Sequence, residues 1–117
     1  MSIKGNAIMA ADLIDRKKGK DIVIMDVSNI SNFADYFVIA HGTSDRQLKT
    51  LADEVESGME EKGITLYHKE GKETSGWILL DYGDIIIHLF LEEQRAHYNI
   101  EKLWRDGELI SYEGSAE

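Results

Sequence analysis

The sequence predicts an α/β (α+β) domain: a mixed β-sheet with helices mainly on one face, in the order αββαβββα. Three observations carry this. Apolar residues recur at helical spacing near the N-terminus, in the middle and near residue 100. Short, β-branched runs lie between those segments, and glycines or polar clusters separate them. At 117 residues the chain suits one domain and can bury a core without staples.

Ile3, Ala7, Ala10, Ala11 and Ile14 mark the first helix, and Gly19 is its expected stop. The runs Asp21 to Val27 and Tyr36 to Ala40 show little alternation, as strands covered on both faces do. In Gly42-Thr43-Ser44-Asp45-Arg46-Gln47, Ser44 and Gln47 have the spacing of a capping box. Leu48, Leu51, Ala52, Val55 and Met59 then form the buried stripe of a second helix ending near Gly63. A short strand over 66–69 precedes Glu70-Gly71, which reads as a polar loop. Trp77 to Tyr82 and Ile85 to Leu91 follow, a hairpin turning at Gly83. Ala96, Ile100, Leu103 and Trp104 suggest a closing helix with a break in its middle. The domain is expected over 1–104, with 105–117 as an acidic, polar, loosely docked tail.

Composition narrows the function. Apolar residues at 43% and charged residues at 30% are ordinary for a globular protein. The chain has no cysteine, which excludes a disulfide or thiolate metal site within it. No run approaches the ~20 apolar residues of a membrane-spanning helix. The N-terminus lacks the basic-then-apolar build of a signal peptide, so the cytoplasm is the expected location. Acids outnumber bases 22 to 13, for a formal charge of −9. That balance disfavours a phosphate backbone as partner and suits a basic protein surface. The basic run Arg16-Lys17-Lys18-Gly19-Lys20 sits where cations complement a helix C-terminus.

Strand alternation divides the hairpin into two faces. Ile78, Leu80, Ile85, Ile87, Leu89 and Leu91 make one face purely aliphatic, and that face must be core. Trp77, Leu79, Asp81, Ile86, His88 and Phe90 share the other, which mixes large apolar groups with a carboxylate and an imidazole. Such a mixture suits a protein-binding surface, with Trp as anchor and polar groups setting register. Equally, it suits a face covered by another segment of the chain, with Asp81 and His88 at its rim. The pattern alone leaves both readings open.

The same residues carry a family resemblance. Gly19-Lys20-Asp21-Ile22 leading into Asp26-Val27-Ser28, Asp35-Tyr36-Phe37-Val38-Ile39 and Gly42-Thr43-Ser44-Asp45-Arg46 come first. Glu70-Gly71, Trp77, Leu80-Asp81-Tyr82-Gly83-Asp84, His88, Arg95, Tyr98, Glu101 and Leu103-Trp104 complete the series. In this order and spacing, over residues 3 to 104, the chain resembles the ribosomal silencing factor family, RsfS, also called Iojap-like. The resemblance implies a nucleotidyltransferase-like fold without its catalytic carboxylates. It also implies binding to the large-subunit ribosomal protein numbered fourteen, which blocks subunit joining and represses translation when nutrients are scarce. The partner-binding residues expected are Trp77, Leu79, Asp81 and Tyr82, with Ile86, His88, Glu70 and Gly71 beside them. No cofactor, DNA or membrane is implied, little or no RNA contact is expected, and a homodimer is conceivable for the free protein.

The rival is an enzyme or nucleotide-binding protein that cradles a triphosphate at Gly42-Thr43-Ser44, since a helix N-terminus favours anions. Phosphoryl transfer also needs carboxylates to hold Mg²⁺. The expected strands do not supply an alternating pair: Asp81 and Asp84 straddle a turn, and Glu54 and Glu56 lie on a helix. Ser44 is therefore read as a helix cap. His41, His68, His88 and His97 show no zinc-ligand spacing. Of these, His88 is read as a surface contact. Asp26 and Asp35 are read as hydrogen-bonding groups at strand ends, and Arg95 and Glu101 as structural ion-pairing groups. Tyr98 and Trp104 are read as core aromatics.

Overall fold

Helix α1 (Ile3–Arg16) starts where the Ser2 hydroxyl accepts the Gly5 N–H at 2.9 Å. The computed structural model describes residues 2–99, 102, 107–110 and 112. Strands β1 (Lys20–Asp26) and β2 (Tyr36–Gly42) follow, then α2 (Asp45–Glu61), β3 (His68–Lys72) and a 3₁₀ turn (Glu73–Ser75). The hairpin strands β4 (Trp77–Asp81) and β5 (Ile85–Leu91), helix α3 (Glu92–Tyr98) and strand β6 (Glu108–Ile110) complete the described elements. They form a six-stranded sheet in the order β3-β4-β5-β2-β1-β6. The β2–β5 pair is parallel and every other pair antiparallel.

Both long helices bury the stripes their spacing predicts. Ala7, Ala10, Ala11 and Ile14 on α1, and Leu48, Leu51, Ala52, Val55 and Met59 on α2, are buried. They pack on one face of the sheet, against Ile24, Val38, Ala40, Ile78, Leu80, Ile85, Ile87 and Leu89. On the opposite face Met25, Phe37, Ile39, Ile86 and Phe90 form a smaller cluster with Val27 and Ala34, which come from loop 27–35.

Three expectations are corrected. The strand expected over 66–69 lies at His68–Lys72, so Glu70 and Gly71 belong to an edge strand and not to a loop. Its charged sequence hides a strand that pairs along its length with β4. The tail is not merely a loose extension, because Glu108–Ile110 pairs antiparallel with Ile24–Asp26 of β1. Further along, the Tyr112 hydroxyl donates to Asp12 at 2.8 Å. The closing helix does break, at Asn99 with φ 49°, but α3 buries Arg95 and leaves Ala96 exposed. Ile100, Glu101, Leu103 and Trp104 lie outside the described residues.

Candidate functional site

The hairpin turn fixes which residues share a face. Tyr82 N–H donates to the Ile85 carbonyl at 2.9 Å, leaving Gly83 and Asp84 as a two-residue loop. Gly83 has φ +87°, the sign that the primed hairpin turns require at their first position. The Asp81 carboxylate accepts the Gly83 N–H at 2.8 Å and locks the turn. In this register Trp77 faces Phe90, Leu79 faces His88 and Asp81 faces Ile86. Across the parallel seam, Phe37 lies beside Ile86 and Ile39 beside His88. On the outer side His68, Glu70 and Lys72 pair with Asp81, Leu79 and Trp77.

The face is thus a broad apolar surface with a charged edge strand. Trp77, Leu79 and Asp81 are half-buried, and Glu70 and Gly71 are exposed. Gly71 is indispensable to the geometry. Its φ is +85°, and a Cβ there would lie 2.0 Å from the Trp77 carbonyl oxygen. Glycine lets the edge strand close on β4 directly beside the tryptophan. Tyr98 from α3 lies over the same surface, its ring centroid 6.2 Å from that of Trp77 and 5.9 Å from that of Phe90. At 53% exposure it is a surface aromatic and not the expected core residue. Alternation within strands could not find it, because α3 brings it in from outside the hairpin.

Three expected partner-binding residues are placed differently. His88 is on the predicted face but is buried, at 6% exposure, and so is not a rim contact. Its ring meets Phe37 edge-on at 5.0 Å and stacks on Phe90 at 6.1 Å. Among the described residues neither ring nitrogen has a hydrogen-bond partner, and burial pushes the imidazole down to about 4, so it is neutral at pH 7. Tyr82 turns to the other face and is buried in the helix-side core. Burial, with Glu56 and Glu60 nearby, pushes its phenol well above the usual range. Ile86 has the expected face but is only 7% exposed, so it is floor and not surface.

The remaining candidates are structural. One Asp26 carboxylate oxygen accepts both the Ser28 N–H at 3.0 Å and the Ser28 hydroxyl at 2.6 Å, and these bonds hold its acid below the usual carboxylate range. Asp35 contributes backbone, its N–H donating to the Asp84 carbonyl at 2.8 Å. Buried Arg95 places Nη1 2.9 Å from His41 Nδ1. Because guanidinium only donates, the His41 proton belongs on Nε2.

Ser44 caps α2, accepting the Gln47 N–H at 3.1 Å. The Gln47 carboxamide oxygen accepts the Thr43 N–H at 2.7 Å, while its Nε2 donates to the Lys18 carbonyl at 3.0 Å. The amides of Thr43 and Gln47 at this helix start are therefore engaged within the chain. The link from Gln47 to the end of α1 was not legible in the spacing. Among the described residues, no three or more His, Asp or Glu converge as a metal site would require.

Comparison with known proteins gives a consistent result. The family described as "Ribosomal silencing factor during starvation" matches residues 1–117. A Bacillus subtilis protein named ribosomal silencing factor RsfS is 40% identical over 109 residues, covering 93% of this chain and 92% of that one. A mouse protein named mitochondrial assembly of ribosomal large subunit protein 1 is 32% identical over 99 residues, covering 82% of this chain and 43% of its own length. A Chromobacterium violaceum crystal structure superposes with a TM-score of 0.87 at 34% identity, covering 99% of this chain and 96% of that one.

Proposed function

This chain belongs to the ribosomal silencing factor family, and on that premise we propose that it binds the large ribosomal subunit and blocks its joining to the small one. The contact we propose is with the ribosomal protein numbered fourteen, through Trp77, Leu79, Asp81, Glu70 and Gly71 over a floor of Ile86 and His88. The outcome is repression of translation when nutrients are limiting, in the cytoplasm.

One observation carries the reading: the sheet face opposite α1 and α2 presents half-buried Trp77 and Leu79 beside exposed Tyr98. Large aromatics over a tightly packed floor are what interface hot spots are made of. The chain's charge of −9 favours a basic protein partner and opposes the flanking ribosomal RNA, whose phosphates repel it. An interface of roughly 800 Å² per partner suffices for stable binding. No chemistry is needed: two bodies cannot occupy one docking surface, and occupancy follows concentration and affinity by mass action. The mouse relative, named for assembly of the large ribosomal subunit in mitochondria, points to the same subunit.

The test is subunit joining in sucrose gradients. With the protein added to purified subunits, the joined-ribosome peak should fall and free subunits rise, with the protein co-migrating with the large subunit alone. An unchanged joined peak at saturating protein rejects the proposal. Titration with nucleotide and Mg²⁺ in a calorimeter should give no saturable heat; a clear isotherm would favour the enzymatic alternative.

A further inference from the structure

Resting on that reading of the Trp77 face, we propose that loop 27–35 is a second arm of the docking surface. Phe33 and Ile30 are its apolar anchors, and Asp84 beside it meets basic side chains of the same ribosomal protein.

Exposure is the first observation. The large apolar side chains most exposed among the described residues are Ile30, Phe33, Tyr67, Tyr98 and Leu109. Three of them border one face of the sheet: Tyr98 lies against Trp77, Phe33 against Phe37, and Leu109 pairs with Met25. Phe33 is 59% exposed and Ile30, in the same loop, 39%. Single exposed apolar residues need no explanation, but a cluster on one face marks an interaction surface.

Continuity is the second. A series of ring contacts crosses the sheet from the loop to the hairpin. Phe33 meets Phe37 at 6.4 Å, Phe37 meets His88 at 5.0 Å, and His88 meets Phe90 at 6.1 Å. Phe90 meets Tyr98 at 5.9 Å, and Tyr98 meets Trp77 at 6.2 Å. The middle of this series is buried and both ends reach the surface. A single partner can therefore rest on Trp77 and Tyr98 at one end and on Phe33 at the other, with a rigid floor between.

The third is preorganisation. Val27 and Ala34 are buried beneath the loop. The Ser31 hydroxyl accepts the N–H groups of Phe33 at 3.1 Å and Ala34 at 3.2 Å, and Ser31 N–H donates to the Val27 carbonyl at 2.8 Å. Asp35 N–H ties the loop to the hairpin turn through the Asp84 carbonyl at 2.8 Å. Little ordering remains to be done on binding, which favours affinity. The Asp84 side chain is exposed where loop and hairpin meet. This acidic edge on an acidic chain commits the arm to an apolar patch flanked by Lys or Arg.

The test uses the full chain and purified large subunits. Phe33→Ala should bind about tenfold more weakly with an unchanged melting temperature, and Asp84→Lys about threefold more weakly at low salt. Wild-type affinity for Phe33→Ala overturns the arm, and wild-type affinity for Asp84→Lys overturns its basic complement. Trp77→Ala, run in parallel, separates the two ideas. If it alone weakens binding, the arm falls while the Trp77 face stands; if neither weakens binding, both fall. Should Phe33→Ala melt early, a benzoylphenylalanine placed at position 33 takes over as the test. It should crosslink to the ribosomal protein numbered fourteen on the large subunit, and a crosslink to another ribosomal protein, to ribosomal RNA alone, or none, overturns the proposal.

Discussion

The two faces of the β4–β5 hairpin are built from neighbouring residues of the same strands and have opposite fates. Ile78, Leu80, Ile85, Ile87 and Leu89 disappear beneath α1 and α2. Trp77 and Leu79, one residue out of phase, remain half-buried on a face covered only in part by loop 27–35 and α3. Both faces carry large apolar side chains, so hydrophobicity alone does not distinguish core from contact. The cover does: two amphipathic helices seal one side, and the other keeps its largest side chain at the surface.

This contrast yields predictions that separate stability from binding. The largest effect belongs to the sealed side. Leu80 is fully buried, so Leu80→Ala should cost about 2–5 kcal/mol of stability, through lost transfer energy and a residual cavity. Urea unfolding checks this, and a loss below about 1 kcal/mol would mean the helix-side packing is looser than described.

His88 probes the floor between the two faces. Burial lowers its folded pKa to about 4, against 6.5 for the exposed group. Between those values the unfolded chain binds more protons than the folded one, so stability rises with pH. The contribution is complete above about pH 6.5 and is lost as pH falls toward 4, amounting to about 3 kcal/mol. Unfolding free energies at pH 7 and pH 4.5 should therefore converge more for His88→Phe than for the parent. An identical pH dependence in the two proteins would show that the imidazole is solvated.

Gly71→Ala sharpens the edge-strand side of the comparison. With φ at +85° and the Trp77 carbonyl oxygen 2.0 Å from the new Cβ, β3 must move away from β4. The left-handed backbone alone costs a non-glycine residue about 1–2 kcal/mol. Hydrogen exchange should quicken in His68–Lys72 while α2 remains protected; uniform protection would contradict the close approach. The smallest effect belongs to a surface pair. Arg16 and Glu54 meet at 3.0 Å with the arginine mostly exposed, so Glu54→Gln should change stability by less than about 1 kcal/mol. A larger change in thermal unfolding would give that ion pair a weight its exposure does not support.

Much of this was legible in the sequence where a period runs long enough to be counted. The α2 stripe from Leu48 to Met59 is buried residue for residue, and alternation assigned both hairpin faces correctly. Alternation extended one step beyond Leu80 also puts Tyr82 on the helix side, where it is buried; only the family resemblance groups it with the binding residues. What periodicity could not supply was cover from distant segments. It gave His88 its face but not its burial, which depends on Phe37 of β2 and Phe90 beside it. Strand β6 is three residues long, too short for any alternation to show, and its partner β1 lies more than eighty residues earlier in the chain. Tyr98 looked like core because an aromatic on a short helix has no period to contradict that reading. The buried Arg95 was hidden for the opposite reason: its charge reads as surface until His41 and the Lys20 carbonyl are seen beside it.

The most direct test of the central claim is the affinity of Trp77→Ala for purified large subunits, measured at one salt concentration alongside its melting temperature. Removal of the anchoring side chain should cost about 2 kcal/mol or more of binding, roughly a thirtyfold loss of affinity, while the protein remains folded. A folded Trp77→Ala variant that binds large subunits as tightly as the parent would contradict the assignment of this face.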